Sequence, residues 1–111
     1  MQLAGFLILQ PRRHVEQIAD VSLEESSVLG PMLSAASRAL MKVLSPQKVY
    51  VCSFGSVVKH VHFYLIPQAA GMPNAAKLLD ELDEGRWACS DDAAADVAAR
   101  IRVELAKNVY L

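Results

Sequence analysis

The chain has 111 residues, of which 53% are hydrophobic and 21% are charged, and its formal net charge is -1. This length predicts one domain around a single core, and the near-neutral charge gives no indication of a basic surface for nucleic acids or membranes. No apolar run approaches the roughly 20 residues that a bilayer-spanning helix needs, and the apolar start lacks the features of a signal peptide. Cys52 and Cys89 lie far apart, so we expect free thiols in a cytoplasmic protein.

The first half of the chain predicts a strand followed by a long helix. Gly5 to Gln10 is an apolar run closed by a proline, which is typical of a buried strand. Ser22 and Glu25 have the spacing of a capping box, so a helix is expected to begin there and to run to about Leu44. Gly30-Pro31 predicts a kink or a division into two parts. The expected apolar stripe of this helix is Leu23, Val28, Leu29, Leu33, Ala36, Leu40 and Leu44.

The second half predicts two strands and two helices. Val49 to Phe54 and His60 to Ile66 resemble strands, and the short link that contains Gly55 predicts an antiparallel hairpin. A short helix is expected from Ala75 to Leu82, and a last helix is expected to begin at Ser90 as its N-cap. The apolar side of the last helix is Ala94, Val97, Ala98, Ile101 and Leu105. The order of elements predicts an α+β domain, with helices packed on an antiparallel sheet.

The segment KHVHFYLIPQ (59–68) places polar side chains at alternate positions in an apolar run. Same-face neighbours in a strand lie about 6.5 to 7 Å apart, so we expect His60, His62 and Tyr64 to share one face with Ile66. The opposite face, expected to pack against helices, is Val61, Phe63 and Leu65. An unpaired buried polar group costs roughly 1 to 3 kcal/mol, so the polar row is predicted to face a cleft or to be paired.

Two other interpretations of this row stay open from the residues alone. His-x-His on a strand can offer two imidazoles to zinc, which would then require His14, a cysteine or a carboxylate as a further ligand. The row is otherwise an incidental pattern on a structural domain, because single histidines on strands are usually structural or merely exposed.

The segment KHVHFYLIPQ (59–68) resembles the signature of the histidine triad (HIT) superfamily. That signature is His-φ-His-φ-His-φ-φ, where φ is an apolar residue. GFLILQPRRHVEQIADVSLEE (5–25) is similar to the family's first segment, a strand, then Pro-Lys/Arg-Arg/Lys-His, then a capped helix. VKHVH (58–62) is similar to the diadenosine polyphosphate hydrolases of the family. The resemblance implies a HIT-like fold, an antiparallel sheet with a long helix and a C-terminal helix packed on it. We expect one such domain over 1–111, without the family's usual N-terminal segment, either in a short member or in a chain that begins late.

The resemblance also implies a mechanism. The central histidine of the motif, His62 by position, attacks the α-phosphorus of a nucleotide and forms a nucleotidyl-histidine that water or another acceptor resolves. Its other ring nitrogen is held by a backbone carbonyl in the family. His60 would shape the phosphate site, and His14 matches the family's additional histidine beside the triad. The expected substrate is a nucleotide or a dinucleoside polyphosphate, the expected assembly is a homodimer, and no metal or organic cofactor is called for.

Several positions depart from the family pattern. Tyr64 occupies the third triad position, where the family has histidine or, in its transferases, glutamine; a phenol can donate a hydrogen bond but is not cationic at neutral pH. Gln68 replaces the arginine that often follows the proline. The loop Gly55-Ser56-Val57-Val58 lacks the usual hydroxyl at Val57, although Ser56 lies next to it. Ser53 stands where relatives often have an asparagine near the ribose or phosphate. The expected substrate-binding residues are Ser53, Gly55, Ser56 and Lys59.

These features support two different functions. Retention of His14, His60 and His62 favours a hydrolase or transferase that acts on a phosphoanhydride or phosphoramidate of a nucleoside monophosphate. Tyr64, Gln68 and the lost loop hydroxyl favour a catalytically impaired protein that binds a nucleotide or another phosphorylated ligand on the same scaffold.

Overall fold

The computed structural model describes residues 3–55 and 57–107, so Ser56 lies outside the described residues. Within these ranges the chain forms three strands, three α-helices and one 3-10 turn. In chain order they are β1 Leu7–Leu9, the turn Ile18–Asp20, α1 Leu23–Leu44, β2 Lys48–Cys52, β3 Phe63–Gln68, α2 Ala75–Asp83 and α3 Asp91–Ala106. The predicted α+β class is confirmed, and the 3-10 turn was not expected.

The strands form an antiparallel sheet in the order β1-β3-β2, with β3 in the centre. The predicted antiparallel pairing of β2 and β3 is confirmed, but the predicted bounds of β3 are wrong. The strand begins at Phe63 rather than His60, and it continues through Pro67 to Gln68. The Gln68 carbonyl accepts a hydrogen bond from the Gln47 N–H (2.8 Å), so the backbone of Pro67 faces the opposite side. On that opposite side β3 is paired with β1 only as far as Leu65. No strand lies beside Pro67 there, so the missing N–H of the proline leaves no hydrogen bond of the sheet unmade.

β1 is shorter than the predicted Gly5 to Gln10. Gly5 has φ of +83°, in the left-handed region that interrupts an extended strand. A Cβ at this position would lie 2.5 Å from Leu44 Cδ1, so the turn also requires a residue without a side chain. The turn brings the start of the chain against the end of α1.

The capping box of α1 is confirmed. The Ser22 hydroxyl accepts from the Glu25 N–H (3.0 Å), and the Glu25 carboxylate accepts from the Ser22 N–H (2.9 Å). The predicted division at Gly30-Pro31 is wrong, because α1 is one helix with Pro31 inside it. Proline removes the bond to the carbonyl of Ser27, but Ser27 lies on the exposed side of the helix, where water can satisfy that oxygen.

Helices cover both faces of the sheet. On one face Leu65, which has no exposed surface, packs among side chains of α1 and α3: Ala39, Leu40, Val97 and Ile101. On the other face Ile66 packs against Leu78 and Leu82 of α2. Each fully buried leucine or isoleucine contributes roughly 1.5 to 3 kcal/mol.

The apolar sides of the two long helices were predicted with unequal success. The α3 residues Val97 and Ile101 are buried as expected. In α1 the prediction holds for Leu40 but is wrong for Leu23 and Val28, which are 86% and 55% exposed. Leu29, next to Val28, does pack against a buried cluster, so the inward apolar side of the helix begins at Leu29 rather than at Leu23. Within the described residues, no helix combines the length and the apolar character needed to span a bilayer.

Candidate active site

His62 lies just before β3, and its ring is fixed at both nitrogens. Nδ1 lies 2.7 Å from the carbonyl oxygen of His60, and Nε2 lies 3.1 Å from the hydroxyl of Tyr64. Because a carbonyl can only accept, a neutral His62 carries its proton on Nδ1, and Nε2 presents a lone pair. The Tyr64 hydroxyl therefore donates to Nε2. The predicted carbonyl contact of His62 is thus present, and the polar row is paired as expected.

His60 and His14 form a second pair. His60 Nε2 lies 3.0 Å from the carbonyl oxygen of Pro11 and donates to it, which leaves Nδ1 as an acceptor in the neutral ring. Nδ1 of His60 lies 3.4 Å from Nδ1 of His14, which then donates. The exposed His14 ring is also 4.0 Å from the carboxylate of Glu16, a surface contact of small energetic effect.

The side chains are therefore arranged in two pairs rather than in one row along a strand. His60 and His62 both precede β3, yet His62 lies on the same side as Tyr64, with which it lines one cavity. The prediction that the three share one face is therefore confirmed for His62 and Tyr64 and wrong for His60, which contacts His14 and the Pro11 carbonyl instead. Main-chain contacts position the two histidines instead.

Two hydrogen bonds hold the backbone around His62. The Val61 N–H donates to the carbonyl of Val15 (2.7 Å), and both valines are buried, 4% and 2% exposed. This bond sets the residue after His14 against the residue after His60, which explains why those two rings meet. The Ser53 hydroxyl donates to the His62 carbonyl (2.6 Å), so the end of β2 supports the start of β3. Ser53 was predicted to bind substrate, and in the structure its hydroxyl is directed at the backbone.

His62 and Tyr64 line a cavity of about 300 Å³. Other residues at its wall include Phe54, Gly55, Leu79 and Asp83. The Phe54 ring is 52% exposed and lies 6.4 Å from the Tyr64 ring, centroid to centroid. Sequence patterns did not indicate Phe54 or the α2 residues as parts of the site; the only signal was an aromatic side chain at the predicted end of a strand. Lys59 is exposed on the loop that leads to His60.

A second, larger cavity of about 470 Å³ lies on the α1 side of the sheet. Its wall is mainly apolar and includes Leu9, Leu29, Met32 and Phe63. None of the described residues that we predicted for catalysis or substrate binding lines it. The smaller cavity holds the hydrogen-bonded pair of His62 and Tyr64, so we assign the candidate site to it.

Gln68 has a structural position at the far end of β3. It is 4% exposed, and its Nε2 lies 3.0 Å from the Pro73 carbonyl, 3.3 Å from the Met72 carbonyl and 2.5 Å from Asn74 Oδ1. Gln68 therefore holds the loop that leads into α2, the helix that supplies one wall of the cavity.

The zinc interpretation finds no ligand set in the part of the chain that the structure describes. Over residues 3–55 and 57–107, no group of three or more histidine, cysteine, aspartate or glutamate side chains is placed to bind a metal ion. Both cysteines are free thiols, as expected.

Comparison with solved structures identifies the fold. The structure of a histidine triad protein from Bradyrhizobium japonicum superposes with a TM-score of 0.75 at 20% identity, over 95% of this chain and 80% of that chain. The chain has the histidine triad fold. A histidine triad protein from Sinorhizobium meliloti gives a TM-score of 0.71 at 18% identity, over 89% of this chain and 73% of that chain. A Hit-like protein involved in cell-cycle regulation from Bartonella henselae, solved with an unknown ligand, gives 0.69 at 18% identity, over 93% and 72%.

The HIT-like fold expected from the sequence is thereby confirmed. No protein-family model matches the sequence, and a search of curated proteins finds no similar one. On the histidine triad fold of this chain, His62 and Tyr64 meet in the cavity, His60 and His14 form the adjoining pair, and Gly55 lies at the cavity wall. The roles of these residues in catalysis and binding stay predictions.

Proposed function

We propose that the chain is a histidine triad superfamily protein that hydrolyses a nucleotide, or transfers its nucleotidyl group, by reaction at the α-phosphate. The observation that carries this proposal is the fixed tautomer of His62. Its Nδ1 donates to the His60 carbonyl, so a lone pair is held on Nε2 at the wall of the cavity. This lone pair makes a covalent nucleotidyl intermediate possible, and such an intermediate divides one difficult displacement into two easier ones.

The surroundings of the cavity support a nucleotide as the substrate. A volume of about 300 Å³ lies at the lower end of the range for small-molecule sites. The exposed Phe54 ring offers a face on which a base can stack. Lys59, exposed on the loop that leads to His60, offers an ammonium group to phosphate oxygens. The substrate class proposed is a phosphoanhydride or phosphoramidate of a nucleoside monophosphate, including dinucleoside polyphosphates.

A second candidate function is a nucleotide-binding or regulatory protein with impaired catalysis. It is favoured by the contact of the Tyr64 hydroxyl with His62 Nε2, since this contact occupies the lone pair in the resting state. A phenol also cannot supply the cationic donor that a histidine supplies at this position. In this case Tyr64→His would restore turnover, because it removes the hydroxyl and returns an imidazole.

The homodimer and the cytoplasmic location are likewise proposals. β1 and β2 are the edge strands of the described sheet, and pairing with a second copy would cover such an edge. Free cysteines are typical of a reducing compartment.

The test is a product assay with adenosine 5′-phosphoramidate and with a diadenosine polyphosphate, comparing the wild-type protein with His62→Ala. We expect AMP from at least one probe and a loss of at least about 100-fold in the variant, because either nucleophile or base is removed. Circular dichroism of the variant checks that it folds. Thermal stabilisation by AMP without product would favour the binding protein, and neither product nor stabilisation at millimolar nucleotide would contradict both functions.

A further inference from the structure

We propose that Tyr64, rather than His62, forms the covalent bond to phosphorus, and that His62 is its general base. The proposal rests on the proposed nucleotidyl chemistry at this site and names the atom that carries the intermediate. It assigns a catalytic role to the position at which the chain departs most from its family pattern.

The first support is the direction of the hydrogen bonds. Nδ1 of His62 is committed to the His60 carbonyl at 2.7 Å, so only Nε2 can accept, and the Tyr64 hydroxyl donates to it at 3.1 Å. Attack by Nε2 would first require the hydrogen bond from the Tyr64 hydroxyl to break, so that the lone pair becomes free. Attack by the phenol oxygen requires no such rearrangement, because its proton already points at an acceptor.

The second support is access. His62 is only 6% exposed, whereas Tyr64 is half-buried, and both line the same cavity. The Tyr64 ring lies near two other aromatic rings, with centroid distances of 5.2 Å to Phe6 and 6.4 Å to Phe54. The more accessible member of the pair therefore also has aromatic neighbours that pack near its ring.

The third support is the order of the three groups. A hydroxyl nucleophile, an imidazole base and an oxygen that fixes the tautomer of the base form the arrangement that activates hydroxyls in many hydrolases. Here these are Tyr64, His62 and the carbonyl of His60. The Ser53 hydroxyl bound to the His62 carbonyl holds the backbone that carries the base.

The step balances without a further reactant. The Tyr64 oxygen bonds to the α-phosphorus as the bond from phosphorus to the leaving oxygen or nitrogen breaks. The phenol proton moves to His62 Nε2, and the imidazolium then gives it to the leaving group. In the second step water bonds to phosphorus, its proton passes to Nε2, and the phenol oxygen leaves and takes that proton back.

The two possible intermediates differ in a property that can be measured. A phosphodiester on a tyrosine oxygen survives acid, whereas a phosphorus–nitrogen bond on histidine hydrolyses in acid and survives alkali. The wild-type protein is mixed rapidly with adenosine 5′-phosphoramidate, divided into acid and alkaline quenches, and measured by intact mass. We expect a single adenylyl adduct that survives acid, and peptide sequencing by mass spectrometry that assigns it to Tyr64.

Turnover of Tyr64→Phe supplies a second test that does not depend on accumulation of the adduct. We expect a loss of at least about 100-fold, since the nucleophile is removed. Tyr50→Phe is the matched control, because it removes another phenol hydroxyl, 3.4 Å from Asn74 Oδ1 and outside the catalytic pair, and should retain turnover. Thermal melting of both variants checks folding.

The outcomes separate the two proposals. Product formation with an acid-labile adduct on His62 would overturn the role of Tyr64 and leave the proposed function standing. Turnover of Tyr64→Phe within about threefold of wild type would also overturn the role of Tyr64. This holds even if the wild-type protein forms an acid-stable adduct, because that adduct would then not lie on the reaction path. Absence of both product and adduct in the wild-type protein would contradict the proposed function itself.

Discussion

Ser53→Ala tests whether the backbone of His62 must be held for the site to work. The hydroxyl of Ser53 makes a 2.6 Å hydrogen bond to the His62 carbonyl, and alanine removes this donor without adding bulk. A net hydrogen bond contributes about 0.5 to 1.5 kcal/mol, and an acceptor left buried without a partner costs about 1 to 3 kcal/mol. For a domain near this size, 1 kcal/mol lowers Tm by about 4–8 °C. If the same 1 kcal/mol is lost from the transition state, kcat falls about fivefold.

The assay combines thermal melting with steady-state kinetics on adenosine 5′-phosphoramidate. We expect Ser53→Ala to lower Tm and kcat with little change in KM, because the hydroxyl is directed at the backbone rather than at the cavity. Ser53→Thr keeps the hydroxyl and is the matched control, so it should lose less in both measurements. A raised KM with unchanged Tm and kcat would refute this reasoning and would favour direct substrate binding by Ser53, as predicted from the sequence.

Three further predictions, which use four substitutions, test the fold. Gln68→Met removes the donors that hold the loop before α2, so we expect a loss of about 1 to 3 kcal/mol in chemical denaturation and faster amide exchange in α2. The hydrogen bond from Arg13 lowers the pKa of Glu25 to about 2. The ionised carboxylate therefore stabilises the fold above its unfolded pKa near 4.5, and this stabilisation is lost as the pH falls toward 2. In thermal melts across that pH window, Glu25→Gln should lose less stability on acidification than wild type. Leu65→Ala should cost about 2 to 5 kcal/mol, because the side chain is fully buried, whereas Leu23→Ala, at an 86% exposed position, should stay within about 0.5 kcal/mol.

The elements that the sequence predicted best are those fixed by local interactions. The capping box at Ser22 and Glu25 involves residues three apart, and the N-cap at Ser90 binds the Ala93 N–H in the next turn (3.1 Å), so both are visible in a short window of sequence. The burial of Leu65 on the helix side of the sheet also followed from alternation along β3. Each of these depends on one segment at a time.

The arrangement of the site depends on contacts between segments distant in sequence. His14 and His60 are brought together by the Val61–Val15 backbone bond, which no local pattern encodes. The alternating pattern predicted that β3 begins at His60, which is too early, because such a pattern cannot show where pairing with β2 ends. The sequence did show that His62 and Tyr64 are two residues apart, but the direction of their hydrogen bond follows from the His60 carbonyl, which only the folded backbone places.

The most direct test of the nucleotide site at the His62–Tyr64 pair is an NMR measurement of protein labelled with ¹⁵N-histidine, with and without AMP. Long-range ¹H–¹⁵N spectra report which ring nitrogen carries the proton. We predict the Nδ1-protonated form for His62, with a change in its Nε2 signal on addition of AMP that saturates with concentration. A proton on Nε2 in the free protein, or a His62 signal that does not move at millimolar AMP, would contradict the site proposed here.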